Sequence, residues 1–303
     1  MQTFNNSIKE VDKLNIFKKN NNLNILSLYN SIKNYEKNFY KKNADFTIEK
    51  QHPIIEELKN TIINKIISTK DGAKIDAWDI NPHKSKKYIV FCEGISSEKS
   101  NILLQRTYLK FIEEGWGILA FDYRGRGKSK GEFNQKSAIT DLKTIYDYLK
   151  SKDIHSTDIG IIGHSMGSAV AANFCAKHKT AFTILINPFS KASDMAKEIA
   201  QKAKLPQIVN KIIQNLPSWL IPLQNKFNNE AVIKKIKAPI LILHTQEDNV
   251  IPVKLARKLY SKTINNSNAT YKELPGNDHE INDEKINYCI EFIKKQVYKT
   301  QNK

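Results

Sequence analysis

The sequence predicts an α/β fold: a mostly parallel, eight-stranded sheet opened by an antiparallel hairpin, with helices on both faces and a helical insertion. Three observations carry this. Short apolar runs such as Tyr88–Cys92, Phe182–Ile186 and Pro239–His244 lack polar alternation, as parallel strands buried on both faces must. Longer segments with helical spacing separate them, which favours strand–helix–strand units. Asp71-Gly72 between two β-prone runs is a hairpin signal.

Residues 1–55 are polar and rich in Asn and Lys, and are set apart as an N-terminal extension; the main domain runs 56–303. Leu23, Ile25, Leu26, Leu28, Tyr29, Ile32, Tyr35 and Phe39 fall mostly at three- and four-residue steps, which predicts one amphipathic helix at 22–42. It either docks on the main domain or makes peripheral membrane or partner contact. Ile62–Thr69 and Ala73–Ile80 form the hairpin. Tyr88–Cys92 is a buried strand, followed by Glu93-Gly94-Ile95 and a helix over Glu98–Glu114. Ile118–Phe121 is the next strand, and 136–151 an amphipathic helix. Ile159–Ile162 then leads through Gly163-His164-Ser165-Met166-Gly167 into small, helix-compatible residues.

Residues 190–235 break the alternation. They are helical in pattern, carry Pro206, Pro217 and Pro222, and are apolar around Leu216, Trp219 and Leu220, which suits a lid over a pocket. Pro239–His244 resumes the sheet, Pro252–Lys262 is a helix, Thr270–Leu274 the last strand and 281–298 the closing helix.

The formal net charge of +17 invites a nucleic-acid reading. Yet only Arg106, Arg124, Arg126 and Arg257 are arginines, and the lysines are spread along the whole chain among asparagines. No nucleic-acid partner is expected. Cys92, Cys175 and Cys289 are odd in number, widely spaced and set in apolar segments, which predicts buried thiols in a reducing compartment. Residues 1–22 lack a signal-peptide core, and no transmembrane span is seen; the expected location is cytoplasmic. Oligomeric state is not legible.

In such sheets functional groups collect where strands end at their carboxyl edge. Ser165 follows one strand, Asp248 a second and His279 a third. A serine hydroxyl needs a base, imidazole suits neutral pH, and the imidazole needs a carboxylate to fix its tautomer. Glu247 and Asp278 are rival carboxylates beside the two loops.

The order Ser…Asp…His and the segments Phe121–Ser129, Gly163–Gly167, Ala238–His244, Glu247–Pro252 and Asp278-His279 resemble those of the α/β-hydrolases, specifically the lid-bearing group of serine-aminopeptidase-like and monoacylglycerol-lipase-like proteins. The resemblance covers about 60–298. It implies a Ser165–His279–Asp248 triad, an oxyanion hole from the backbone N–H groups of Met166 and Ile95, a lid contributing Trp219, Leu216 and Leu220, and no cofactor or metal. The activity implied is hydrolysis of an ester or thioester of an acyl or otherwise apolar small-molecule substrate. An aminopeptidase and a non-catalytic binding protein on the same fold are the alternatives. Two residues depart from the pattern: Glu93 stands where histidine is usual, and is expected to point away or pair with lysine; Thr245 stands where glycine is common.

Overall fold

A computed structural model describes residues 53–95, 97–202, 211, 214–215, 225–263 and 266–301. The expected helix at 22–42 lies outside them, as do Leu216, Trp219 and Leu220 of the expected lid. The eight strands are β1 (Ile62–Ser68), β2 (Lys74–Ile80), β3 (Tyr88–Cys92), β4 (Gly117–Phe121), β5 (Ile159–His164), β6 (Thr183–Ile186), β7 (Ile240–Thr245) and β8 (Ala269–Leu274). They form one sheet in the order β1-β2-β4-β3-β5-β6-β7-β8. β2 pairs antiparallel with β1 and β4, and every other pairing is parallel.

The helices are α1 (Ile102–Glu113), α2 (Gln135–Lys150), α3 (Met166–Cys175), α4 (Ala192–Lys202), α5 (Asn229–Ile233), α6 (Val253–Tyr260) and α7 (Asp283–Gln301). Strand residues alternate between two cores, as the two-residue period of a strand requires. Val90, Leu119, Ile161, Leu185 and Ile242 pack with α2, α3 and α6 on one face. Ile89, Ile118, Ile162, Ile184 and Leu241 pack with α1 and α7 on the other. All three cysteines are free and buried.

The expected helix from Glu98 begins instead at Ile102, where Asn101 accepts from the Leu103 N–H as its cap. The reason is electrostatic. Lys99 is buried and its ammonium reaches Asp76 on β2 and Asp122 at the end of β4 (2.6 Å to Asp122). A helical turn through Lys99 would carry it away from both carboxylates. Packing continues across the expected boundary: Ile54 and Ile55, just ahead of it, lie against the core in which Leu58, just after it, is buried. Gln105 on α1 accepts from the Ile55 N–H (2.8 Å) and donates to the carbonyls of Pro53 and Ser100.

β4 and β5 flank β3, so the chain steps off β3 to opposite sides. A crevice opens at the carboxyl edge at such a reversal. The segments that end there are Glu93-Gly94, after β3, and Ser165, after β5.

Candidate active site

Ser165 sits between β5 and α3 with φ 54° and ψ −122°. An L-residue rarely adopts this conformation, and it costs on the order of 1–3 kcal/mol unless the surroundings fix it. Here its N–H donates to Ile186 O (2.9 Å) on β6, and its carbonyl accepts from Ser168 N (3.1 Å) and Ser168 Oγ (2.5 Å). Two glycines allow the turn. A Cβ at Gly163 would lie 2.5 Å from Gly167 O, and one at Gly167 would lie 2.0 Å from Cys92 O. Both obstacles are backbone, so no side-chain adjustment relieves them. Met166 takes the first position of α3, where its N–H has no intrahelical acceptor.

His279 is buried, and its Nδ1 lies 2.7 Å from Asp248 Oδ2. Asp248 is held on both oxygens: Oδ1 accepts from the N–H groups of Val250 (2.8 Å) and Ile251 (2.9 Å), Oδ2 from His279 and from Asn187 Nδ2 (2.7 Å). Burial opposes its ionisation, but the bonds from His279 and Ile251 and the nearby imidazoles outweigh this and hold the carboxyl below its ordinary range. The rivals are placed elsewhere. Glu247 is exposed, and Asp278 bonds Glu280 N (2.9 Å) and Asn282 Nδ2 in a turn. Thr245 ends β7 and donates Oγ1 to Asp278 O (2.8 Å), so the threonine ties the loop before Asp248 to the loop carrying His279. His279 O also accepts from His164 Nε2 (2.8 Å), which places His279 against the neighbour of Ser165; the two rings are 5.0 Å apart. Among the described residues, no hydrogen bond joins Ser165 Oγ to His279.

Three residues here escape a reading of the sequence. Asn187, directly after β6, is buried with φ 48° and donates Nδ2 to Asp248 Oδ2 and to His279 O (3.0 Å). The signal available was an asparagine, a residue tolerant of positive φ, at another strand's carboxyl end. Lys285 on α7 is buried and donates Nζ to the carbonyls of Asp278 and Glu280 (2.6 Å each), bracketing His279. His244, buried beneath Asp248, donates Nε2 to Ile251 O (2.9 Å); burial lowers its pKa to about 4.

On the β3 side, a Cβ at Gly94 would lie 3.5 Å from Ser165 Cβ, so this loop faces the serine. Ile95 follows, partly buried against the core. Contrary to expectation, Glu93 pairs with no lysine among the described residues. It is buried, and Tyr108 on α1 donates to its Oε1 (3.2 Å). Burial raises its pKa to about 8, helped by the charges of Asp122, Glu98 and Glu280 and opposed by the Tyr108 bond. Burial thus favours the protonated carboxyl near neutral pH, which is how an acidic residue is accommodated under this loop.

Residues 83–235 match the family described as serine aminopeptidase, S33, and 183–297 match one described as phospholipase/carboxylesterase. The chain belongs to the serine aminopeptidase S33 family of α/β-hydrolases. This hydrolase is 29% identical over 254 residues to the uncharacterized protein YqkD of Bacillus subtilis, covering 74% of the chain and 77% of YqkD. It is 30% identical over 189 residues to the lysophosphatidylserine lipase ABHD12 of Macaca fascicularis; that alignment covers 58% of the chain but only 45% of the lipase. Its fold is similar to that of the Pyrococcus furiosus esterase Pf2001, with a TM-score of 0.64 and 25% identity over 80% of the chain and 93% of the esterase. It is thus an esterase- and lipase-like hydrolase. No helix among the described residues is long and apolar enough to cross a membrane, and no group of them is arranged to hold a metal ion.

Proposed function

We propose that the protein is a serine hydrolase that cleaves a carboxylic ester or thioester of an acyl or otherwise apolar substrate through an acyl-enzyme. The observation that carries this is the Asp248–His279 pair, hydrogen-bonded at 2.7 Å and seated beside the strained turn of Ser165. With Nδ1–H donated to Asp248, Nε2 of His279 is the free base. The mechanism requires Ser165 Oγ to reach that nitrogen when substrate binds; catalytic hydrogen bonds are commonly long beforehand. Ser165 Oγ attacks the carbonyl carbon while His279 takes its proton. The oxyanion is received by the N–H groups of Met166 and Ile95, each worth on the order of 3 kcal/mol. His279 returns the proton to the leaving alcohol or thiol, and water, activated the same way, releases the acid and regenerates Ser165.

An acyl substrate is supported by the apolar residues Leu216, Trp219 and Leu220 of the span 190–235, and by the likeness to a lysophosphatidylserine lipase and an esterase. Peptide cleavage at a free amino terminus needs an accessible carboxylate for the ammonium. Glu93, at the start of the oxyanion loop, is buried and bonded to Tyr108, which disfavours that reading. Residues 56–303 form the hydrolase unit in this proposal, with 190–235 as its lid and 1–55 as a separate extension able to make peripheral membrane contact.

The test is labelling with a fluorophosphonate probe. Wild type is expected to label and Ser165→Ala to remain unlabelled while folded; a folded wild type that does not label would exclude the mechanism. Turnover of p-nitrophenyl esters should rise with acyl length, and a flat or falling series would remove the acyl-pocket part.

A further inference from the structure

At the opposite edge of the sheet, the amino ends of β5, β6 and β7 border a solvent-open cavity of about 850 Å³. Asp158, on its wall, immediately precedes β5, and Ser165 immediately follows it. Six strand residues at ~3.3 Å each separate the two by about 20 Å. The cavity is therefore distinct from the candidate active site.

Its lining is strongly one-signed. Lys87, Lys177, Lys179, Lys235 and Lys237 face it, with Asp158 as the one carboxylate on the wall. Among the described residues, none of these five lysines lies within ion-pairing distance of a carboxylate, as holds for many surface lysines here, so it is their convergence on one concavity that sets them apart. The helix dipole accounts for part of the pattern: α3 and α5 end here, and each contributes roughly half a negative charge that favours a nearby lysine. Those two ends and Asp158 offset about two of the five positive charges, leaving a surplus of roughly three. His178 adds none at neutral pH, since burial and Lys143 lower its pKa. On the same wall Trp116 packs edge-on to Phe182 as an apolar side.

We propose that this cavity is a binding site for a small anion carrying several phosphoryl groups. Its volume lies in the range of small-molecule sites. The lysines come from three separate segments around the rim, ahead of β3, after α3 and after α5, which suits charge distributed along a ligand better than a single phosphate. Ammonium groups bind phosphate as point charges, so the lysines by themselves supply the recognition. The concavity favours a discrete ligand over a flat membrane or a nucleic-acid strand.

Titration calorimetry of the full chain with inorganic tripolyphosphate tests this. Saturable one-site binding with Kd below about 1 mM at roughly 50 mM salt is expected, weakening as salt rises. Lys177→Glu with Lys179→Glu should weaken it by at least about tenfold. The control pair Lys128→Glu with Lys130→Glu carries the same change of net charge in the exposed loop at the other edge of the sheet, after β4, and should shift Kd less than about threefold. Circular dichroism confirms that both variants are folded. Absence of saturable binding by wild type overturns the proposal. So does an equal loss in both variants, which would mean attraction to net charge alone. Binding to phosphatidylglycerol vesicles or a DNA oligonucleotide that depends on Lys177 and Lys179, without tripolyphosphate binding, also overturns it.

Discussion

Asn187 shows what a single side chain decides at this site. Its amide bridges Asp248 Oδ2 and His279 O, and its backbone adopts φ 48°, which glycine also tolerates. Asn187→Gly therefore keeps the backbone and deletes the bridge. Loss of a hydrogen bond to a charged group is worth about 1.5–3 kcal/mol, so kcat should fall on the order of 10- to 100-fold with KM little changed. Asn187→Asp places a second carboxylate beside Asp248 and His279; it should favour the charged imidazolium and move the acid limb of the pH–rate profile to higher pH. An unmoved acid limb would mean that the side chain does not act on the pair. Glu93 makes a different prediction. Its folded-state pKa of about 8 lies above the ordinary 4.5, so the folded state retains a proton that the unfolded chain has lost. Its neutral form is thus most favourable to stability at low pH, and this contribution is lost progressively as pH rises from the ordinary value through 8. Ionisation also sets a negative charge under the loop that receives the oxyanion. Activity should decline on the alkaline side with an apparent pKa near 8. Glu93→Gln should remove that limb and raise the melting temperature at alkaline pH; superimposable profiles for the two proteins would refute the role.

At the scale of elements, the β5–α3 turn depends on close backbone approach. Gly167→Ala sets a methyl 2.0 Å from Cys92 O and 2.5 Å from Glu93 O, both at the end of the neighbouring strand β3. Neither can shift without breaking the β3–β5 pairing, so a loss of about 3 kcal/mol or more is expected, seen as a melting temperature lower by roughly 10 °C. A melting temperature like that of wild type would show that the turn has slack. Most of these elements were legible: strand boundaries follow the apolar runs, and Ser165, Asp248 and His279 each fall just after a strand. The start of α1 was not legible, because Glu98, Lys99 and Ser100 read as good helix-compatible residues. Only their burial against Asp76 and Asp122 excludes them from the helix.

Across the whole molecule, Lys99 ties three distant parts together: β2 through Asp76, β4 through Asp122, and the loop after β3 that faces Ser165. Removing one partner of a buried ionic cluster leaves uncompensated charge, so Lys99→Met should cost about 3–5 kcal/mol in chemical denaturation. The exposed i,i+4 pair Lys143–Asp147 gives the contrast, with Lys143→Met changing stability by less than about 0.5 kcal/mol. Equal small effects would show that the cluster is not integral to the fold. The sequence by itself determined the fold class, the strand order of Ser165, Asp248 and His279, and the serine's place on a glycine-flanked turn, because periodicity and local backbone sterics are written in neighbouring residues. The family resemblance already pointed to Asp248; the tertiary structure alone decided that Glu247 and Asp278 lie away from His279, that Asn187 and Lys285 bond to the Asp248–His279 unit, that Glu93 is buried, and that five lysines from three segments converge on one cavity. Each of these depends on which distant segments meet, and on how burial changes the energy of a charge, and neither is encoded in sequence spacing.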